Sequence, residues 1–246
     1  MTRPSFAPVS WHWPYTACLA VLICGLIAAE PAEAAERRFS IFSFETIRVQ
    51  GGVDVEIVTG KAPSAEAEGD NQNVLDRVIL RNSGKELVVG LQRPPGGDTF
   101  GRNQQKATLR LTTRELDGII FTGSGRVTID KLSGQSTSIR LGGFGSLNIR
   151  DVESDDLRVK MSGAGAIEIA GEVQKSRIEI IGSGSLNGLA LKVKSLNLIH
   201  RGPGTSRVFA SKDVEIDNSG SGSITVDGRH NCIVRSTGSA QIDCDF

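Results

Sequence analysis

The stretch "GGFGSLNIR", residues 142–150, decides how the whole chain is read. Its close-set glycines fit three structures: a phosphate cradle, a calcium-binding turn of a parallel β-roll, or a corner where a strand bends sharply. Its neighbours separate them. Glycine triplets recur as "GSG" at Gly123–Gly125, "GFG" at Gly143–Gly145, "GAG" at Gly163–Gly165, "GSG" at Gly182–Gly184, "GPG" at Gly202–Gly204 and "GSG" at Gly220–Gly222. The steps between them are 20, 20, 19, 20 and 18 residues, and a worn seventh copy, "STG", begins at Ser236. A fixed period of this length is the mark of a repeat architecture.

The flanks repeat with the glycines. Ile119 and Phe121, Ile139 and Leu141, Val159 and Met161, and Ile178 and Ile180 stand four and two residues before a triplet. Val127 and Ile129, Leu147 and Ile149, Ile167 and Ile169, and Ile224 and Val226 follow at four and six. Polar residues such as Arg140, Lys160, Asn148 and Glu168 lie between them. Alternation of this kind places one set in a core and the other in water, as in half-buried strands. Each unit therefore reads as strand, glycine corner, strand and polar connector ("DKLSGQ", "DVESDD"). One unit cannot bury its apolar face alone, so units stack. Glycine suits the corners because it adopts positive φ and lets stacked backbones approach. Chained hairpins share the pattern, but the regular step favours an all-β parallel solenoid.

A phosphate cradle needs a helix after its glycines, and a strand pattern follows here. A calcium turn needs a carboxylate two residues after the third glycine, where this chain has Leu147. The corner reading survives, and with it the expectation of no cofactor, no metal and no catalytic residue.

Outside the repeats, residues 1–34 read as a signal peptide. Ala17–Ala29 is a 13-residue apolar run and "AEA" at Ala32–Ala34 offers a cleavage site. The run is shorter than the roughly 20 residues a spanning helix needs. Cys18 and Cys24 lie in it without a lipoprotein pattern. Residues 39–246 read as one domain, with less regular strands over 39–115 and serial corners over 116–246. "RPPGGDTFGRNQQ", residues 93–105, reads as a loop. A short helix or a strand approach fits residues 71–79. Charges balance, with 28 Lys and Arg against 28 Asp and Glu, which removes the electrostatic case for nucleic acid.

Trp11, Trp13 and Tyr15 all fall in the leader. The rest of the chain has only phenylalanine as an aromatic, with no tryptophan or tyrosine to supply the platform usual at sugar-processing sites. The acids Asp151, Glu153, Asp155 and Asp156 sit in a connector. His200 holds an inward-parity position and His230 lies in a connector, without an attached nucleophile motif. Cys232 and Cys244 form a disulfide in an oxidising compartment or serve as two small core residues. Cys232 takes the frame position of Ile139 and Val159.

"FETIRVQGGVDVEIVTG", "AEGDNQNVLDRVILRNSGKELVVGL" and "LRLTTRELDGIIFTGSGRVTI", in that order, resemble the head GIN domain family of autotransporter adhesins, from about Phe44 to Val226. The resemblance implies an exported bacterial protein and a right-handed, single-stranded β-helix, and it brings no catalytic or ligand residues. An autotransporter barrel, with strands of roughly ten residues, is not expected after Ser236. The expected role is a non-enzymatic, adhesin-like or structural scaffold in the periplasm or at the cell surface. Its partner would be an envelope or extracellular protein or glycan, or a second copy of the chain. The competing expectation is a polysaccharide lyase or hydrolase built on a β-helix.

Overall fold

The computed structural model describes residues 35–92, 106–229 and 231–244, so the leader, the loop at 93–105 and His230 lie outside the described residues. Residues 34–246 form one compact unit. Its strands are β1 (Ala35–Phe39), β2 (Thr46–Gly51), β3 (Asp54–Val58), β4 (Ser64–Gly69), β5 (Val78–Ser83), β6 (Glu86–Leu91), β7 (Ala107–Thr112), β8 (Gly118–Gly123) and β9 (Arg126–Ile129). The single helical turn α1 (Gln72–Leu75) precedes β5. Longer strands follow: β10 (Leu132–Gly143), β11 (Ser146–Gly163), β12 (Ala166–Gly182), β13 (Ser185–Arg201) and β14 (Thr205–Asn218). The chain ends its strands with β15 (Ser223–Asp227), β16 (Asn231–Ser236) and β17 (Gln241–Asp243).

The fold is an all-β solenoid of about six turns with repeats of about 20 residues. From β8 onward every coil pairs in parallel with the next. Inward side chains stack into columns, one of which runs Ile119, Ile139, Val159, Ile178, Leu198 and Ile216. All six are at most 2 % exposed, so a single apolar core runs through the stack.

Each coil has three inward runs where the sequence pattern suggests two. In β11 the buried residues are Leu147 and Ile149, then Val152 and Ser154, then Leu157, Val159 and Met161. The period of two slips at residues 150–151 and 155–156, and a slip is where a strand bends. The connector "DVESDD" is therefore strand, not loop, because Val152 carries the alternation through it. Leu132 does the same for "DKLSGQ".

The amino-terminal part departs from serial stacking. β2 and β3 form a coil whose corner, Gly51–Val53, pairs with Gly123–Gly125 through β8 and β9. Between them the chain leaves at Thr59 and returns at Asp117. Asp130 accepts the Thr59 backbone N–H at 2.9 Å, and Asp117 accepts the Thr46 hydroxyl at 3.0 Å, which pins both ends of the excursion. Within it, β6 and β7 stack on the other edge of β2 and β3. β5 on β6, β4 on β7 and β1 on β4 are antiparallel, so the regular ladder is closed off at this end. α1 is a single turn capped by the Asn71 side chain, which accepts from the Val74 N–H, and it buries Val74 and Leu75. Such end pieces protect an otherwise open edge.

Candidate binding faces

The corners form a ridge of stacked glycines. Within the triplets, positive φ falls on the first glycine of four, Gly143, Gly163, Gly182 and Gly202, at φ 103° to 129°. The second glycines serve close approach instead: a Cβ on Gly145 would sit 2.4 Å from the Phe121 ring, and one on Gly165 2.6 Å from the Gly145 carbonyl oxygen. Gly123 and Gly125, which lack positive φ, would meet the carbonyls of Gly51 and Val53 at 1.9 and 2.1 Å. Gly220 and Gly222 press on Gly202 and Gly204 in the same way, and a Cβ on Gly184 or Gly204 would meet the carbonyl below. At the Phe144 corner the N–H groups are already engaged. Phe144 and Gly145 donate to Gly123 O at 3.0 and 2.9 Å, and Ser146 donates to Gly125 O at 3.0 Å. Amides spent on the previous coil cannot cradle a phosphate.

The last corner is two residues further on than the triplet pattern suggests. Ser236 pairs with Asn218, so Gly238, not Ser236, stacks on Gly220 and the worn triplet is "GSA". The shift moves Cys232 into the column of Leu157, Leu196 and Val214, and Val234 takes the place of Ile139. Cys232 and Cys244 are joined by a disulfide across the final coil, with Cα atoms 6.3 Å apart.

Outward side chains form ladders. Lys131 holds Asp151 at 3.4 Å and Glu153 at 2.6 Å, and Lys160 and Arg201 share Glu179 at 3.2 and 3.5 Å. Arg235 pairs with Glu215 and Asp217, and Arg48 forms a two-pronged bond with Glu86. Hydrogen bonding and charge from Lys131 keep the Glu153 carboxyl below its ordinary range, and Arg235 does the same for Glu215. Asp156 lies 3.5 Å from Arg158. The connector acids thus point outward along one stretch of surface, and two of them are engaged by a lysine.

His200 is wholly buried in the column between Ile180 and Asn218. Neither ring nitrogen has a hydrogen-bond partner. Burial pushes its pKa down, and proximity to Asn218 and the Gly204 backbone only partly offsets that; neither reaches bonding geometry to the ring. Asn218 is already committed, donating to Gly220 O and Ser236 Oγ and accepting from Gly220 N. The histidine faces core, not solvent, which removes it from any surface chemistry.

Two surface features escape the repeat pattern. Phe144, the middle residue of its triplet, is 77 % exposed at the ridge. On the face before the corners, Arg140 pairs in register with Lys160, and Arg158 with Arg177. Aligning outward residues on the glycine frame, whose step is 20 residues from Gly143 to Gly163 and 19 from Gly163 to Gly182, shows these like-charge contacts.

The sequence profile described as "Putative auto-transporter adhesin, head GIN domain" matches residues 43–229. No curated protein matches the chain. Among solved structures, a "putative adhesin" from Bacteroides fragilis superposes with a TM-score of 0.72 at 18 % identity, covering 87 % of this chain and 97 % of that one. Another from Parabacteroides merdae gives 0.64 at 16 % identity, with 86 % and 95 % covered. A "putative lipid binding protein" from Parabacteroides distasonis gives 0.63 at 20 % identity, with 85 % and 96 % covered. At these identities the likeness is one of fold.

Proposed function

Since the chain belongs to the family described as "Putative auto-transporter adhesin, head GIN domain", we propose that it is an exported, non-enzymatic scaffold whose rigid outer faces bind at the cell envelope. The observation that carries this reading is the use made of the outward charges. They are spread along ladders and braced across coils, as on a surface that presents itself, not gathered in a cleft.

A sugar-cleaving enzyme needs one carboxyl with a raised pKa to protonate the leaving group, facing a second across the bond. Glu153 is driven the opposite way by Lys131. Export rests on the apolar leader, and the family's adhesin description supports a place at the surface.

The test is incubation of the purified protein with acidic and neutral glycans, reading both retention and newly formed chain ends. Retention without product is the expected result. Turnover abolished by Asp155→Asn would overturn the reading in favour of a hydrolase or lyase. Protease treatment of intact cells reports the location: loss of the protein from untreated-permeability cells places it outside, and protection places it in the periplasm.

A further inference from the structure

The balanced total charge hides a segregation. Residues 158–212 hold nine Lys and Arg against three Asp and Glu, while residues 213–227 hold Asp213, Glu215, Asp217 and Asp227 and no cation. Within the basic belt and its border, four cations meet on the face before the corners. Arg140 stands directly opposite Lys160 on the next coil, and Arg158 directly opposite Arg177 on the one after. All four are exposed.

Like charges placed directly opposite each other across strands are destabilising. Elsewhere opposite charges meet, as Asp156 with Lys175 and Asp217 with Arg235, and where two acids meet a cation holds one of them: Lys131 holds Glu153 opposite Glu172, and Arg110 holds Glu68 opposite Glu36. The zigzag of Arg140, Lys160, Arg158 and Arg177 sets two like-charge pairs side by side, a cost the fold does not explain. Its neutralisation is also incomplete. Lys160 shares Glu179 with Arg201, Arg158 has only Asp156 of its own coil, and Arg177 donates to neutral Asn197 at 3.1 Å. Arg140 has no ion pair or hydrogen bond to a side chain among the described residues. Phe144 stands at the corner of the same coil as Arg140, its ring presented to solvent.

We propose that this face binds an acidic polysaccharide, with the zigzag cations taking its carboxylate or sulfate groups and Phe144 taking the apolar face of one sugar ring. Adjacent coils set cations about 5 Å apart along the solenoid, and alternate residues of one strand set them about 7 Å apart. A linear chain with repeating charges can engage several at once, and guanidinium groups suit planar anions. Nucleic acid fits less well, because single strands need a ring for each successive base and this face offers one. The proposal rests on the binding-scaffold reading and gives its ligand a chemistry.

The experiment compares dextran sulfate, polygalacturonate and neutral dextran as probes for the purified protein at several salt concentrations. The double variant Arg140→Ser/Arg177→Ser and the single variant Phe144→Ser test the face. Lys192→Ser/Lys194→Ser makes the same charge change elsewhere. The acidic polymers should bind and neutral dextran should not. The face double variant should lose about tenfold in affinity and flatten the dependence of log K on log salt, by up to about two where both cations are engaged. Unchanged thermal unfolding of each variant shows that the fold is retained. Equal losses in both double variants, or none in the first, overturn the proposal. So does tighter binding to a single-stranded oligonucleotide or to anionic phospholipid vesicles. Binding of neutral dextran alone would sink the acidic-ligand assignment and leave the scaffold reading standing, whereas product formation would sink the scaffold reading itself.

Discussion

Gly142, Gly143 and Gly145 stand within four residues, yet the fold asks something different of each. Gly142 faces outward with nothing closer than 3.7 Å to an added Cβ, so Gly142→Ser should change stability by no more than about 0.5 kcal/mol. Gly143 is at φ 103° with the Gly123 carbonyl 2.7 Å from its absent Cβ, and Gly145 abuts the Phe121 ring. Alanine at either should cost at least about 2 kcal/mol, read as a lower midpoint in urea. His200 gives a second prediction at this scale. Its pKa is depressed in the fold, so the unfolded chain takes up a proton first as pH falls. The contribution of the neutral ring to stability is intact above about pH 6.5 and is lost as pH drops below it. No carboxylate or ammonium is buried among the described residues to reverse that sign. His200→Met should raise stability by about 1 kcal/mol at pH 7, by removing two unpaired nitrogens, and should flatten the acid limb of the stability profile.

At the scale of elements, legibility followed the strength of local repetition. Gly123 to Gly222 read directly, because each corner follows the last within one period. The first corner shares the same frame: Ile47, Val49, Val55 and Ile57 match Ile119, Phe121, Val127 and Ile129. It was hidden by the excursion between Thr59 and Asp117, which breaks the period without altering the residues. The third run was hidden for a different reason. It is only three residues long, too short for alternation to show, and Ser154 at an inward position blurs it further. The like-charge contacts of the candidate face belong to pairs 19 or 20 residues apart, which become visible only once register is fixed. The last coil carries a prediction of its own. Its Val234, which continues the buried column of Ile216, is 44 % exposed because no further coil covers it among the described residues, and Ile233, 59 % exposed, takes the outward place of Glu215. The disulfide holds β16 and β17 by closing a loop with a sequence separation of 12 residues. Reduction should release about 2–4 kcal/mol of local stability. Hydrogen exchange should show β16 and β17 opening while the coils before Thr205 keep their protection.

For the whole molecule, stability should be nearly additive in coils, because each touches only its neighbours. Deleting residues 164–182 joins Gly163 to Ser183 and keeps every remaining register, since Gly163 and Gly182 are stacked partners. That variant should still fold, with a denaturant slope about a tenth smaller in proportion to the surface lost. Collapse of the variant would mean that coils depend on more than their neighbours.

Spatial order and chain order differ at one place, and this has a consequence for how the molecule comes into being. β2 and β3 lie between β6 and β7 on one side and β8 and β9 on the other, though the chain makes them before either. A polypeptide emerging amino-terminus first therefore presents a ribbon with both edges bare until β6 and β7 are complete at residue 112, and with one edge bare until residue 129. From then on each new coil meets a finished landing site and can be laid down as it arrives. Assembly begins with one slow, indivisible act spanning about half the chain and continues as a zipper with a single direction.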